Sequence, residues 1–370
     1  MKYIHPEKFA AIVDHARKTN PFYARTIPEN GPVPVLVREM LRKNNDEILN
    51  GHQFNSHSSG AQATTVKIFI NAERKGFDAP FVQDMVRRMG GPLPRMDIIY
   101  PRDYYVPFFL SIFTPIPEQV DALLQNYSER QSVALITYPS NAVLLAKEII
   151  DRQLDFGFMK RIGMISESIN KQQTALIKRA FPNARLWSSY SSTETGMISF
   201  QCPYEPDYHH AITDKLGIEI LDEQANECEI GQVGSIVLTD YTNRQMPLIR
   251  YEIGDLAAFA VCPCGKIDYP ALQSILGKVR GCFLHRNGQR VIFLSLSWAL
   301  SNIPTVRQFQ VIQHEIEHFT IKIVADRSVE NLVVAAFTED FGYTPLIDFE
   351  WMSVIPRDPN GKFYESICHV

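Results

Sequence analysis

Between residues 67 and 181 the chain switches repeatedly between short apolar runs and longer amphipathic stretches, and that alternation restricts the fold more than any other feature. The spacing predicts strands at Lys67 to Asn71, Arg95 to Tyr100, Val133 to Tyr138 and Ile162 to Ser166. Helices are predicted between and after them at Ala79 to Met89, Ile116 to Tyr127, Ser140 to Arg152 and Lys171 to Phe181. Apolar strands bounded by amphipathic helices describe a parallel sheet covered by helices on both faces. Upstream, Phe9, Ile12, Val13, Ala16 and Phe22 keep helical spacing within Glu7 to Tyr23, and Pro21 is expected to end that helix.

The pattern changes after about Tyr208. Ile218 to Leu221, Gly234 to Thr239 and Leu256 to Val261 read as short strands separated by turn residues, which predicts an antiparallel sheet or small barrel appended to the α/β body. Beyond Gly277, Phe309 to Gln313, His318 to Ala325 and Leu332 to Phe337 read as strands of a small α+β region. With 370 residues to bury, two domains are expected, a large one over residues 1–277 and a small one over 278–370.

Composition narrows the partners. Lys plus Arg total 37 against 41 Asp plus Glu, a net charge of -4, so no basic excess exists to release counterions from nucleic acid or an anionic membrane. Met1 to Glu7 has no apolar signal core, and the most apolar stretch, Val106 to Pro117, is broken by Ser111, Thr114 and Pro115. Neither secretion nor membrane spanning is expected. Six cysteines in a chain of this size fit a reducing cytoplasm better than a disulfide framework.

Two motifs point to metals. His314-Glu315-Ile316-Glu317-His318 matches the zinc-protease pattern H-E-x-x-H, which needs a helix to set both imidazoles on one face. Phe309, Val311, Phe319, Ile321 and Ile323 instead alternate around it, the period of a strand or hairpin. On an extended chain, residues four apart lie roughly 13 Å from one another, too far to share one metal. Separately, Cys262-Pro263-Cys264-Gly265 is a turn with two thiols, and Cys202 precedes His209 and His210. Cys202, one of those histidines, Cys262 and Cys264 make a candidate structural zinc site; the alternative is a group of small thiols buried at a turn.

No phosphate-binding P-loop, Rossmann glycine turn or nucleophile elbow occurs in the chain. The densest polar run is Ser188 to Gly196, with seven hydroxyls and one acid in nine residues, following a strand-like segment at Ala184 to Trp187. It reads either as a ligand-satisfied site or as a polar surface loop. Ser56 to Thr65, before the Lys67 strand, has the composition of an anion-binding turn. Arg250 to Asp255 sets an acid after a glycine turn, suited to accepting hydrogen bonds from a diol, and Pro356 to Lys362 is a turn with a lysine at its tip.

In this order the segments resemble the adenylate-forming superfamily of acyl-CoA synthetases, adenylation domains and luciferases, and its phenylacetate-CoA ligase branch above all. Tyr190 to Gly196 looks like the superfamily's aromatic-x-x-Thr-Glu motif, Tyr251 to Asp255 like its Tyr-x-x-Gly-Asp motif, and Asn360-Gly361-Lys362 like its terminal catalytic lysine. Cys262 to Gly265 and the start His15 to Tyr23 are similar to the phenylacetate-CoA ligase branch. The likeness implies an α/β fold: a large N-terminal domain of α/β layers plus an antiparallel sheet or barrel, and a small, mobile C-terminal α+β domain carrying Lys362.

The resemblance also implies roles. Glu194 would hold Mg²⁺ against the ATP phosphates, and Thr193 would donate to the α-phosphate. Ser189 and Tyr190 would flank the adenine, Ser191 would be a further nucleotide contact, and Asp255 would accept from both ribose hydroxyls. Ser58, Ser59, Gly60, Ser166, Glu167 and Lys278 complete the implied nucleotide contacts. Lys362 would bridge the substrate carboxylate and the α-phosphate. Gly277 to Arg280 corresponds to the superfamily's hinge, with lysine at its arginine position and arginine at its acid.

The phosphate loop departs from the pattern. Ala61-Gln62-Ala63 stands where Thr-Thr-Gly is usual, which removes two hydroxyl donors and a close-approach glycine. The implied substrate is an aromatic carboxylic acid, and the short chain and altered loop are similar to the adenylating proteins of phenazine-antibiotic biosynthesis, whose acid is a phenazine carboxylate. The acyl-adenylate would pass to CoA, to another acceptor or to a reductase. The resemblance leaves room for a homodimer. The competing reading is a degenerate, non-catalytic protein that keeps the aryl-acid and nucleotide pocket.

Overall fold

The computed structural model describes residues 2–57, 66–93, 95–101, 108–167, 169, 171–278 and 282–370. The chain forms two compact units, Met1–Pro92 with Trp187–Gly277 and Leu93–Leu186 with Lys278–Val370. One division thus falls at Gly277/Lys278, and residues 278–370 group with 93–186.

In the first unit, eight strands follow the order Lys2–Tyr3, Leu216–Leu221, Gly234–Asp240, Tyr251–Ala260, Ala271–Lys278, His209–Ala211, Gly196–Gln201 and Arg185–Ser192. Their registered pairs are antiparallel. Every residue of Leu216–Leu221 is buried, Glu219 included, because Arg250 pairs with its carboxylate at 3.0 Å. Ile218, Ile220, Leu238, Tyr251 and Phe259 pack with Ile12, Ala16, Phe22 and Tyr23 from the N-terminal helices. Each such aliphatic side chain contributes about 1.5–3 kcal/mol on burial.

Pro21 does not close the first helix but opens another. Pro6–Thr19 and Pro21–Thr26 are separate helices joined at Asn20, whose side chain accepts the Phe22 N–H at 3.1 Å. Proline suits the first helical position because the missing N–H has no partner there anyway, so helical spacing continued through the junction.

In the second unit, four parallel strands follow the order Arg161–Met164, Ala134–Thr137, Asp97–Tyr100 and Phe109–Ser111. Helices Ile116–Arg130, Pro139–Asp151 and Lys171–Ala180 flank them around Leu135, Leu145, Ile162, Ile177 and Phe181. The remainder of this unit adds a sheet in the order Leu346–Trp351, His318–Val324, Gln308–Glu315 and Ser366–Cys368, and helices Leu294–Ser301 and Glu330–Phe341. Phe283, Phe319, Phe337 and Phe341 form its aromatic core.

Three further expectations change. Leu332 to Phe337 lies in the helix Glu330–Phe341 rather than a strand; Gly342, at φ +70°, ends that helix as a left-handed cap. A six-residue apolar run has no period of its own, and the stop signal outside it decides. The hydroxyl-rich segment is not a loop: Arg185–Ser192 is one strand, paired Ser189 to Phe200 and Ser192 to Gly196. The ladder satisfies the backbone, and the serine side chains stay partly exposed, so most of the supposed burial cost never arises. Finally, Glu315 pairs with His318 across a hairpin, which brings the His314 and His318 rings to 5.7 Å instead of some 13 Å. Each ring meets an oxygen, His314 that of Thr320 at 2.9 Å and His318 that of Asp348 at 2.7 Å, on strands and not on the helix a zinc protease needs.

Candidate active site

Two motifs sixty residues apart converge in the first unit. The hairpin between Arg185–Ser192 and Gly196–Gln201 carries Tyr190, Thr193 and Glu194, while Tyr251–Ala260 carries Tyr251 and Asp255. Gly254 stands at φ +83° within that strand, and the register against Gly234–Asp240 slips between Ser235 and Val237. The expected glycine turn is therefore a bulge, a device that re-aims a side chain without ending the strand. Tyr190 Oη donates to Asp255 Oδ2 at 2.6 Å. Burial, then the negative Asp255 beside it, pushes the Tyr190 phenol well above its ordinary pKa, so it remains a donor.

Glu194 is 4% exposed and meets a cation that no sequence pattern announced. Arg38 donates to Glu194 Oε1 at 3.0 Å and to the Tyr251 hydroxyl at 3.2 Å, and Tyr251 Oη lies 3.4 Å from the same carboxylate oxygen. Arg38 begins the helix Arg38–Lys43, which is placed by a bridge from Leu36 to Tyr251: Leu36 N–H donates to the Arg250 carbonyl at 2.9 Å and Glu252 N–H to that of Leu36 at 3.0 Å. Only that tertiary pairing identifies Arg38, since locally it is one cation of an amphipathic stretch.

A second basic group holds the hairpin turn from beneath. Arg74 donates to the Thr193 carbonyl at 3.0 Å and to that of Glu194 at 3.3 Å. Lys215, fully buried, pairs with Asp78 and donates to the Thr195 carbonyl at 3.0 Å. Gly196, at φ +74°, closes the turn where a Cβ would stand 2.8 Å from Arg74 Nε and Asp78 Oδ2. Ser192 Oγ accepts the Thr195 N–H at 3.0 Å, while Ser191 is exposed and Ser189 partly so.

Lys362 belongs to the second unit. Asp358 Oδ1 accepts the Lys362 N–H at 2.7 Å, and Asp358 N–H donates to the Lys362 carbonyl at 2.9 Å, closing the predicted turn. Gly361, at φ +74°, presses so closely on Pro101 and Ile112 that a Cβ would lie 2.9 Å from each. Glu167 fastens the turn to the parallel-sheet region. Its carboxylate accepts the Phe363 N–H at 2.7 Å and the Ser140 N–H at 2.9 Å, with Arg357 3.9 Å away. Burial raises the Glu167 pKa, opposed by the Arg357 charge and these hydrogen bonds. Arg357 also donates to Ser140 Oγ at 2.7 Å and to the Gly361 carbonyl at 3.1 Å. Ser166, just before Glu167, takes φ +70°.

Ser58, Ser59, Gly60 and the altered Ala61 to Ala63 lie outside the described residues, as does Arg280; Lys278 ends the strand Ala271–Lys278. Of the implied nucleotide contacts, the structure brings together Tyr190, Glu194 and Asp255 in one unit, and Glu167 and Lys362 in the other.

Residues 283–367 match the family described as the CapK C-terminal domain. Over 112 residues the chain is 31% identical to the phenylacetate-coenzyme A ligase of Thermus thermophilus; that stretch is 30% of this chain and 25% of the ligase. Among solved structures, 2-hydroxyisobutyryl-CoA ligase in the postadenylation state with an acyl-AMP superposes with a TM-score of 0.74 at 17% identity, covering 99% of this chain and 90% of that one. Anthranilate CoA ligase AuaEII with anthranoyl-AMP gives 0.59 at 15% identity, covering 83% and 64%. The chain has the fold of adenylate-forming ligases, a large α/β body with a small C-terminal region. Among the described residues no helix is long and apolar enough to cross a membrane.

Proposed function

We propose that this protein activates a carboxylic acid with ATP as an acyl-adenylate, and that the acid is aromatic. The observation that carries the reading is the convergence of Tyr190 on Asp255 at 2.6 Å and of Tyr251 on Glu194 at 3.4 Å. These contacts assemble a diol acceptor and a metal-binding carboxylate from segments remote in sequence. Asp255 accepts from the ribose hydroxyls, with Tyr190 orienting it and flanking the base together with Ser189. Thr193 donates to the α-phosphate.

The donor set fits a hard cation. Arg38 and Tyr251 both address Glu194 Oε1, which leaves Oε2 as the oxygen for Mg²⁺. Mg²⁺ bound there supplies positive charge against the ATP phosphates. Arg38 holds the carboxylate in place. Lys362 acts where negative charge grows as the substrate carboxylate attacks the α-phosphate. The region 278–370 swings about the Gly277 to Arg280 segment to bring Lys362 in and withdraw it for acyl transfer. CoA is the acceptor that the similarity to CoA ligases favours, and a phenazine carboxylate is the acid that the family resemblance of the sequence implies.

Acid-dependent pyrophosphate release across a panel of aryl acids, phenazine carboxylates included, tests this reading. One or more acids should release pyrophosphate, with free AMP following only when an acyl acceptor such as CoA is added. A second reading, a non-catalytic binder of aryl acid and nucleotide, draws on the ion pair between Arg38 and Glu194, which neutralises the metal-binding acid. Nucleotide binding without pyrophosphate release from any acid would establish that alternative.

A further inference from the structure

One group of side chains in the first unit takes no part in the nucleotide site. Cys202 follows the strand Gly196–Gln201, His210 lies on His209–Ala211, and Cys262 and Cys264 flank Pro263 in the turn after Tyr251–Ala260. We propose that Cys202, His210, Cys262 and Cys264 form a structural Zn²⁺ site.

Geometry comes first. The three Sγ atoms and one imidazole nitrogen all lie within 4.8 Å of one another. Cys262 Sγ is 3.7 Å from Cys202 Sγ, and Cys264 Sγ is 3.8 Å from His210 Nε2. A tetrahedron with zinc–sulfur bonds of about 2.3 Å has sulfur–sulfur edges of about 3.8 Å, so the ligand cage has close to its bound dimensions. An S–S bond needs about 2.05 Å, and these cysteines are free thiols.

The second observation concerns a proton. His210 Nδ1 lies 2.8 Å from the Tyr269 carbonyl oxygen, which can only accept. Nδ1 therefore carries the hydrogen, and the lone pair is on Nε2, the nitrogen facing the thiols. A carbonyl that fixes the tautomer of a ligating histidine is the usual outer support of a zinc ligand. Likewise the Glu205 N–H points at Cys202 Sγ, 3.4 Å away, where it stabilises a thiolate. Gly265, at φ +56°, completes the turn that lets Cys262 and Cys264 face the same point.

Three thiolates and one imidazole are soft to borderline donors, which select zinc over magnesium or calcium. Four protein ligands fill the tetrahedron and leave no position for water, so the site is structural rather than catalytic. Its effect is to tie the ends of three sheet segments together. His209–Ala211 pairs with Gly196–Gln201, which pairs with Arg185–Ser192, and His209 Nε2 lies 2.8 Å from Ser188 Oγ. Zinc thus braces the strands that present Ser189 and Tyr190, independently of whether the protein forms adenylates.

The test is metal analysis of the full chain, purified without chelators from zinc-supplemented cells. The expected result is one zinc per chain, released by a thiol-blocking reagent and replaceable by Co²⁺ with thiolate-to-metal charge-transfer bands and the intense visible bands of a tetrahedral site. Those bands separate this cluster from a histidine-only site at His314, His318 and His369. Cys264→Ser should lose the zinc and melt at lower temperature, whereas Cys228→Ser, remote from the cluster, should keep it. Should Cys264→Ser fail to fold, the cobalt spectrum of the unaltered protein decides alone. Zinc-free protein without cobalt–thiolate bands, or a disulfide joining Cys202 and Cys262 in freshly purified protein, would overturn the proposal.

Discussion

Glu194 and Lys362 carry opposite charges, and their two units support them by opposite means. Glu194 sits at a hairpin on a sheet, with Arg38 on its carboxylate and Arg74 on the carbonyl behind it. Lys362 sits on a turn held by Asp358, by the fit of Gly361 against Pro101 and Ile112, and by Glu167. The first arrangement neutralises the acid and makes its position rigid. The second anchors the backbone around the lysine through a few contacts, each of which a small movement would break. Under the proposed function, a metal-binding acid would benefit from fixed geometry, whereas a lysine needed in only one half-reaction would benefit from a support that can be released.

The largest expected effect breaks the rigid side. Arg38→Ala strands a buried carboxylate and should lower unfolding stability by about 3 kcal/mol. The double variant with Glu194→Gln should recover much of the loss, and Mg²⁺ should stabilise Arg38→Ala more than the unaltered protein. Urea unfolding reads all three; a loss within ~0.5 kcal/mol would mean the ion pair is incidental.

Next comes the lysine. Lys362→Ala should slow acid-dependent pyrophosphate release on the order of 10²-fold, about 2.7 kcal/mol, while AMP affinity in calorimetry stays near that of the unaltered chain. Equal loss of binding and turnover would instead make Lys362 a simple nucleotide contact.

Gly361→Ala probes the support rather than the charge. A Cβ at φ +74°, 2.9 Å from two side chains, should displace the turn at a cost of about 1–3 kcal/mol and reduce turnover with AMP affinity unchanged. An unchanged rate would show that the docked turn is not the working conformation.

The smallest effect lies beside that turn. Burial raises the Glu365 pKa, opposed by the Ser297 hydrogen bond and assisted by the Glu167 charge; Gln173 donates to the same carboxylate at 2.7 Å. Because the folded value lies above the unfolded 4.5, the folded chain keeps this proton to higher pH. Its contribution to stability is complete below pH 4.5 and is lost as pH rises through the folded value. Glu365→Gln should therefore flatten the fall in stability above pH 4.5 and leave the variant no less stable at neutral pH. A steeper fall in thermal melts would contradict this assignment.

Much of the parallel-sheet region could be read in the sequence. Ala134–Thr137 and Pro139–Asp151 fall within a residue of the spacing-based bounds, because buried strands and their covering helices each carry an unambiguous period. The candidate residues of the two units were half readable. Tyr190, Glu194, Asp255 and Lys362 stand in compact local motifs, whereas Arg38, Arg74 and Lys215 reach the hairpin from 119 residues away or more, or through burial, and leave no local mark.

By itself the sequence determined the α/β class, the break in pattern near residue 208, the lysine-bearing turn and the thiols of Cys262 to Gly265, all features set by neighbours along the chain. Tertiary structure decided what depends on neighbours in space. It made Leu332 to Phe337 helical, turned Ser188 to Ser192 into a ladder strand and Gly254 into a bulge, and brought Arg38 onto Glu194. Each of those outcomes rests on a hydrogen bond, a cap or a counter-charge supplied from a distant segment, which a local pattern does not encode.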